Sequence, residues 1–389
     1  FKEDHSLGII AGTNIEYYTA YGNTSERRDL LLIDRPEISL ANGDQYATSY
    51  HTHEARAGYF ARVNYMFKNR YLLEVNGRFD GSSNFPSDKQ WGFFPSASLG
   101  WIVTEENFMQ DLKPHLSQLK LRGSWGQIGN QDVGSNMFRS ILSPTTTTWI
   151  VGTTGERSFG LPTAVRDGFT WETITTTDLG FDMRFFNNRF GVTFDWFQRV
   201  NSDMITSGDA LPSTFGQTAP KQNYGELTTR GWELALDFQH RFAFGLGVNI
   251  NAYISDAKAK YTKISGNSRL ISGTYEGKEY GEIWGFETDR LFQEDDFEKD
   301  PSGNLVLKEG IPTQEYYETN GWFFYGPGDV KYKDLDGDGK ITPGDATIDN
   351  PGDKKRIGNS TPRYEYGARV DLSYKGFDLG VFVRITPFL

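Results

Sequence analysis

Residues 54–80 leave few folds open. In EARAGYFARVNYMF, Ala55, Ala57, Tyr59, Ala61, Val63, Tyr65 and Phe67 share one parity, while Glu54, Arg56, Arg62 and Asn64 hold the other. A helix would wrap these residues around its axis. A strand sends alternate side chains to opposite faces, so period two means a strand with one apolar and one ionic face. After KNR (68–70), Tyr71, Leu73, Val75 and Phe79 alternate with Glu74, Asn76, Arg78 and Asp80. The two segments read as long strands joined by a tight turn.

The unit recurs. TDLGFDMRFF and FGVTFDWFQR flank NNR; GWELALDFQ and FGLGVNINAYIS flank HRFA; PRYEYGARVDLSY and FDLGVFV flank KG. SASLGWIV and LKLRGSWG add two more strands, for about a dozen in all. The connections alternate in length. Short turns at 68–70, 187–189, 240–243 and 375–376 take turns with long segments at 14–52, 128–170, 201–224 and 256–361. Large membrane barrels have this asymmetry, whereas sandwiches tend to have evenly short connections. Strands of about 9–13 residues suit a tilted membrane crossing and exceed the usual soluble strand of about five or six. Charges at mid-strand (Arg62, Glu74, Arg78, Asp182, Asp195) would line a wide polar lumen, with the apolar face toward lipid. The expected class is therefore all-β, an antiparallel transmembrane β-barrel segment with long extracellular loops. The alternative is a soluble, secreted β-sandwich or carbohydrate-binding module with a structural calcium.

The 389 residues include 29 Phe, 20 Tyr, 9 Trp and 43 Gly, a β- and turn-rich mixture. A net charge of −11 argues against nucleic acid as a partner. The absence of cysteine excludes disulfides, thiolate metal sites and cysteine catalysis. No apolar run reaches the roughly 18 residues of a membrane helix, which does not bear on a barrel. The opening FKEDHSLGII has no initiator Met and the closing GFDLGVFVRITPFL is strand-like, so a piece of a longer chain is expected.

One stretch has metal-ligand spacing. DLDGDGKITPGD (334–345) matches the twelve-residue calcium loop of an EF-hand. Asp334, Asp336 and Asp338 supply side-chain oxygens, Gly339 the sharp turn, Lys340 a backbone carbonyl, Thr342 a water-mediated contact and Asp345 the closing carboxylate. Asp at the last position is a shorter arm than Glu, and the flanks are not helical. An Asp/Gly-rich turn bonded to its own backbone is the competing explanation. Trp322, Phe323, Phe324 and Tyr325 cluster in the longest loop, where exposed aromatics can stack on sugars or anchor a partner, or pack the loop on itself. Trp101, Trp125, Trp171, Trp196 and Trp232 fall on or near strands and include candidates for interfacial girdles. His51 and His53 put two rings on one strand face without an evident third ligand. GTTGERSFG (152–160) lacks the ending of a phosphate loop. No nucleophilic or paired-carboxylate motif appears, so an enzyme is not expected.

Four blocks together resemble the SusC/RagA-like family of TonB-dependent outer-membrane transporters. They are YLLEVNGRFDGSSNFPSDKQWGFFPSASLGW (71–101), LKLRGSWGQIGNQ (119–131), GEIWGFETDRLFQ (281–293) and GDVKYKDLDGDGKITPGDATI with RIGNSTPRYEYG (within 328–367). The resemblance implies that residues 1–389 form part of a plugged outer-membrane barrel, roughly half of one with ~22 strands. The loop 256–361 would carry the calcium-type loop 334–345. The family imports oligosaccharides or peptides with a SusD-like surface lipoprotein, energised through TonB, in the outer membrane of Bacteroidota-type Gram-negative bacteria. Its plug domain and TonB-contacting box have no counterpart in these residues. Calcium, if held, would stiffen a long extracellular loop.

Overall fold

The computed structural model describes residues 4–134, 137–152, 154–208, 211–266, 269–318 and 323–387. Eleven strands form one antiparallel sheet: β1 (His5–Arg27), β2 (Gln45–Phe67), β3 (Tyr71–Ser82), β4 (Trp91–Ile102), β5 (Leu116–Asn130), β6 (Glu172–Phe185), β7 (Phe190–Ser207), β8 (Lys221–Arg241), β9 (Gly247–Lys263), β10 (Glu365–Tyr374) and β11 (Phe377–Ile385). Each pairs with its neighbour in sequence. Among the described residues β1 and β11 keep a free edge, so the sheet is a wall that does not close on itself. The other sheets are two-stranded pieces within loops, so the second packed layer of the sandwich alternative is missing among the described residues.

Register turns the alternation into continuous rows. Tyr65, Leu73, Leu99, Gly123, Leu179, Trp196 and Trp232 stand opposite one another across seven strands. This apolar face is uncovered: Phe93 is 62% exposed, Leu99 64%, Leu179 55% and Val381 51%. A soluble protein rarely leaves so extensive an apolar surface bare, while a bilayer needs one. Among the described residues no helix is long and apolar enough to cross a membrane, and strands cross by a different rule. Aromatic residues bound the apolar band on β4. Trp101 pairs with Tyr71 near the short turns, while Trp91 stacks on Phe79 at the other end, ring centroids 5.0 Å apart. Ten residue steps of about 3.3 Å, tilted by about 40°, set these ends about 25 Å apart along a membrane normal, the height of a barrel's apolar band.

The short turns at 68–70, 186–189, 242–246 and 375–376 all lie at one end. They turn tightly through left-handed residues: Lys68, Asn69, Phe186, Asn187, Asn188 and Lys375 have φ between 48° and 65°, and Gly376 follows at 89°. A longer link, 103–115, shares that end as two 3-10 turns. Segments 28–44, 83–90, 131–171, 208–220 and 264–364 lie at the other end. The sequence places the first long connection at 14–52, but β1 and β2 continue pairing through Arg27↔Gln45. Beyond Ile15 the faces mix Tyr, Thr and Asn, so period two fades although the ladder does not. Strands are accordingly longer than 9–13 residues in several cases, and 23 in β1 and β2.

Candidate functional site

The face opposite the apolar rows is ionic and largely self-paired. Arg122 on β5 reaches Asp195 (2.6 Å), Asp182 (3.3 Å) and Asp178 (3.8 Å) from the two following strands. Arg184 bonds Asp237, Arg78 chelates Asp80 (2.7 Å), and Arg62 lies 3.8 Å from Glu74. Glycines make room for these pairs. A Cβ on Gly180 would sit 2.3 Å from Asp195 Oδ1 and 2.7 Å from the Phe194 carbonyl, and one on Gly58 would sit 2.2 Å from Asp80. The charged side chains therefore lie against the backbone.

At the long-loop end of this face Phe85, Phe94, Phe169 and Trp171 form a buried cluster, with Val133, Met137, Phe138 and Ile205 packed around it. Trp171 stacks on Phe85 at 4.6 Å, and its Nε1–H donates to the Lys89 carbonyl at 3.2 Å. Gly129 leaves space for the Phe94 ring. Trp171 is thus an interior residue joining loops 83–90 and 131–171 to the wall, outside any girdle. Trp101, Trp125 and Trp196 do stand half-exposed on the apolar side.

The segment 264–364 folds as a structured cap. Strand Glu282–Phe286 pairs with Lys354–Asn359, Thr288–Leu291 with Val330–Tyr332, and Phe297–Lys299 with Leu305–Leu307. Ile271, Tyr275, Phe292, Phe297 and Ile341 are buried within it. Glu287 binds the two pairings together through Lys333 (2.7 Å) and Lys355, which hold its carboxyl down at about 2. Burial and the hydrogen bond to Glu282 push the Tyr275 phenol up to about 12. Arg290, then the Gln293 amide, hold the buried Asp296 carboxyl well below the usual carboxylate range.

Within the cap Asp334, Asp336 and Asp338 each offer an oxygen, all within 4.8 Å of one another. Their turn is bonded to its own backbone. Asp334 accepts from the Gly337 (2.6 Å) and Gly339 (2.9 Å) amides, and Asp338 from the Lys340 amide (2.7 Å). Gly337 and Gly339 have φ of 80° and 81°, which the turn demands of residues lacking Cβ. Desolvation, with the nearby carboxylates of Asp353, Asp338 and Asp334, raises the Asp336 carboxyl above its ordinary value against the opposing Asp338 amide. Asp345 stands outside this trio, its Oδ2 accepting from Asn350 Nδ2 at 2.9 Å. The Thr342 hydroxyl accepts from the Gly344 amide, and nothing in this arrangement singles out the Lys340 carbonyl. Asp353, fully buried, closes the loop by accepting from the Leu335 (2.7 Å) and Thr342 (2.8 Å) amides. No local motif announces it, because its partners lie 18 and 11 residues away.

Trp322 lies outside the described residues. Phe323 and Phe324 are exposed, the latter by 64%, whereas Tyr325 is half-buried against Phe292. The four sequence-designated aromatics therefore divide: two face solvent and one packs inward. His51 and His53 do share a face, rings 4.1 Å apart, and Tyr17 OH lies 2.8 Å from His53 Nδ1. Among the described residues no carboxylate or further His joins them as a metal-ligating group. The Gly-rich 152–160 segment contributes to a hairpin, Pro144–Val151 with Thr154–Phe159, and opens no helix.

Comparison with known proteins agrees with this architecture. The chain is 27% identical to TonB-dependent receptor P3 of Formosa agariphila over 397 residues, covering 98% of the chain and 37% of that receptor. It is 35% identical to TonB-dependent receptor SusC of Bacteroides thetaiotaomicron over 192 residues, covering 49% of the chain and 19% of SusC. The fold matches the RagAB peptide importer in its open-open state, with TM-score 0.72 and 20% identity over 99% of the chain and 38% of that structure. The chain thus spans little more than a third of the relatives it matches over its whole length. The model for the family described as TonB dependent receptor-like, beta-barrel, matches residues 3–382. The long-loop end is accordingly the extracellular one. An apolar outer face, a self-paired ionic inner face and a family match over nearly the whole chain together show that this protein belongs to the TonB-dependent receptor-like β-barrels, outer-membrane receptors rather than enzymes.

Proposed function

We propose that residues 1–389 supply part of the wall and the main extracellular cap of a TonB-energised importer of oligosaccharides or peptides. A SusD-like lipoprotein would close over the cap, and further strands would pair with the free edges of β1 and β11, since unpaired edges are not tolerated in lipid. The observation carrying this reading is the cap itself: segment 264–364 has its own buried core and presents Phe323 and Phe324 outward. A folded loop keeps its exposed aromatics in place, which lowers the ordering cost of holding a partner or sugar ring. The SusC/RagA-like resemblance admits either cargo, and the fold is shared with the RagAB peptide importer. Calcium at Asp334, Asp336 and Asp338 is part of the reading, as a stiffener of the cap. The test uses the full-length receptor carrying this chain in outer membranes. Phe323→Ala with Phe324→Ala should lower recovery of the co-purifying lipoprotein, or uptake of labelled oligosaccharide or peptide, by about tenfold, as expected of paired aromatic anchors. Unchanged recovery and uptake in a folded barrel would remove the aromatics from the contact surface.

A further inference from the structure

His51 and His53 stand on the part of the wall that outruns the membrane. Trp91 marks the upper edge of the apolar band; it pairs with Gly81, and Gly81 with Ala57. Four strand steps of about 3.3 Å, tilted by about 40°, carry His53 about 10 Å beyond Ala57, and six carry His51 about 15 Å. Both share the parity of Ala57 and Tyr59, so they continue the outward-facing row and turn away from the lumen. The remaining histidines of the chain, His5, His115 and His240, lie at the short-turn end.

The ladder sets phenols and a hydroxyl beside the pair. Tyr21 stands opposite His51 and Thr19 opposite His53, with Tyr17 on the next pair below, opposite Ala55. Tyr17 OH lies 2.8 Å and Thr19 Oγ1 3.4 Å from His53 Nδ1. The Tyr17 ring stacks on His53, and Tyr21 meets His51 edge-on. All four rings are exposed, and among the described residues His51 has no hydrogen-bond partner. The two imidazoles lie with centroids 4.1 Å apart, tilted by 54°. Each neutral imidazole offers one nitrogen lone pair. An ion about 2.0–2.1 Å from both needs the two nitrogens about 3 Å apart, which His51 meets by turning about χ2 while His53 stays held. With Nδ1–H donated to the Tyr17 oxygen, His53 keeps its lone pair on Nε2, the supporting hydrogen bond that fixes the tautomer of a ligating histidine.

We propose that His51 and His53 chelate one divalent transition ion of the copper–zinc class on the extracellular extension of β1 and β2, with water or a donor from another molecule completing its coordination. Side chains at i and i+2 of a strand share a face, so the ladder itself sets the bite. Imidazole suits copper, zinc and nickel, and for a given donor set affinity peaks at Cu(II). Calcium and magnesium want several hard oxygens, and among the described residues no carboxylate joins the pair. The site therefore differs in kind from Asp334, Asp336 and Asp338, whose oxygens suit a hard cation. The inference stands on the β1–β2 ladder and is independent of what the receptor imports.

The experiment uses the full-length receptor, purified in mild detergent through a tag without histidine, and its H51Q and H53Q variants. Both histidines are exposed, so neither variant removes packing, and heat-modifiable electrophoretic mobility checks folding. Cu(II) chloride is titrated and followed by electron paramagnetic resonance, and the difference between parent and variant isolates this pair from histidines elsewhere in the receptor. The parent should hold one more Cu(II) than either variant, with two equatorial imidazole nitrogens. Each variant should bind that ion at least about tenfold more weakly and with one nitrogen fewer, since losing a ligand costs no less than losing the hydrogen bond that supports it. Equal affinity in the parent and either variant overturns the proposal, because one imidazole would then suffice. So does displacement of the ion by about a hundredfold excess of calcium chloride, which would mark an oxygen-donor site.

Discussion

Removing one charge from the 334–345 loop separates a cation site from an acidic turn. Asp338→Asn keeps an oxygen that can accept from the Lys340 amide but deletes a carboxylate from the trio lying within 4.8 Å. Because Asp345 lies outside the trio, the loop brings fewer carboxylates together than a sensor site. Its affinity should fall in the weak extracellular class, with Kd of about 0.1–1 mM. At about 5 mM calcium, linkage then gives about 1–2 kcal/mol of local stabilisation, or exchange of the loop amides slowed by about 6- to 50-fold. Hydrogen exchange of amides 335–342, read with and without calcium and with magnesium as control, measures this directly. The parent should slow by that factor in calcium only, and Asp338→Asn by less than about twofold. An unresponsive parent, or a variant that responds equally, would leave only the self-bonded turn.

Two further outcomes follow from the cap and the buried cluster. Trp171→Ala removes a buried indole stacked on Phe85 and should cost about 3–5 kcal/mol locally; limited proteolysis should cut loops 83–90 and 131–171 while the barrel keeps its heat-modifiable mobility, and unchanged cleavage would refute the anchoring role. Glu287 is depressed to about 2 from 4.5, so its contribution is complete above pH 4.5 and disappears as pH falls toward 2. Pepsin should begin to cut segment 264–364 across that window. Glu287→Gln should be cut already at pH 5, and superimposable pH profiles would sink the clamp.

The wall was legible because a membrane imposes a simple rule on alternate residues. Val63, Val75 and Ala97 must face lipid, and Arg62, Glu74 and Asn76 must not, so each strand's pattern is readable by itself. Long-range choices were not. Whether Trp171 belongs to a girdle or a core depends on loop 83–90 folding back over it. The β1–β2 ladder continues past the apolar band, where only backbone bonds dictate pairing and side chains are free to vary. Asp353 secures the calcium-type loop from outside its twelve residues, beyond the reach of any local spacing rule. The EF-hand pattern itself was legible as a turn and as a trio of carboxylates. The structure leaves the closing Asp345 outside that trio, accepting from Asn350.

The glycines beneath the inner-face ion pairs have a consequence for passage. Where Gly58 and Gly180 withhold a side chain, the neighbouring arginine and aspartate recline instead of projecting. A closed wall built this way would have a wider bore and a smoother lining than its residue content suggests. On the import function proposed above, a bulky polar cargo would slide past charges already engaged with one another, shedding little water and finding no sticky point at which to stall.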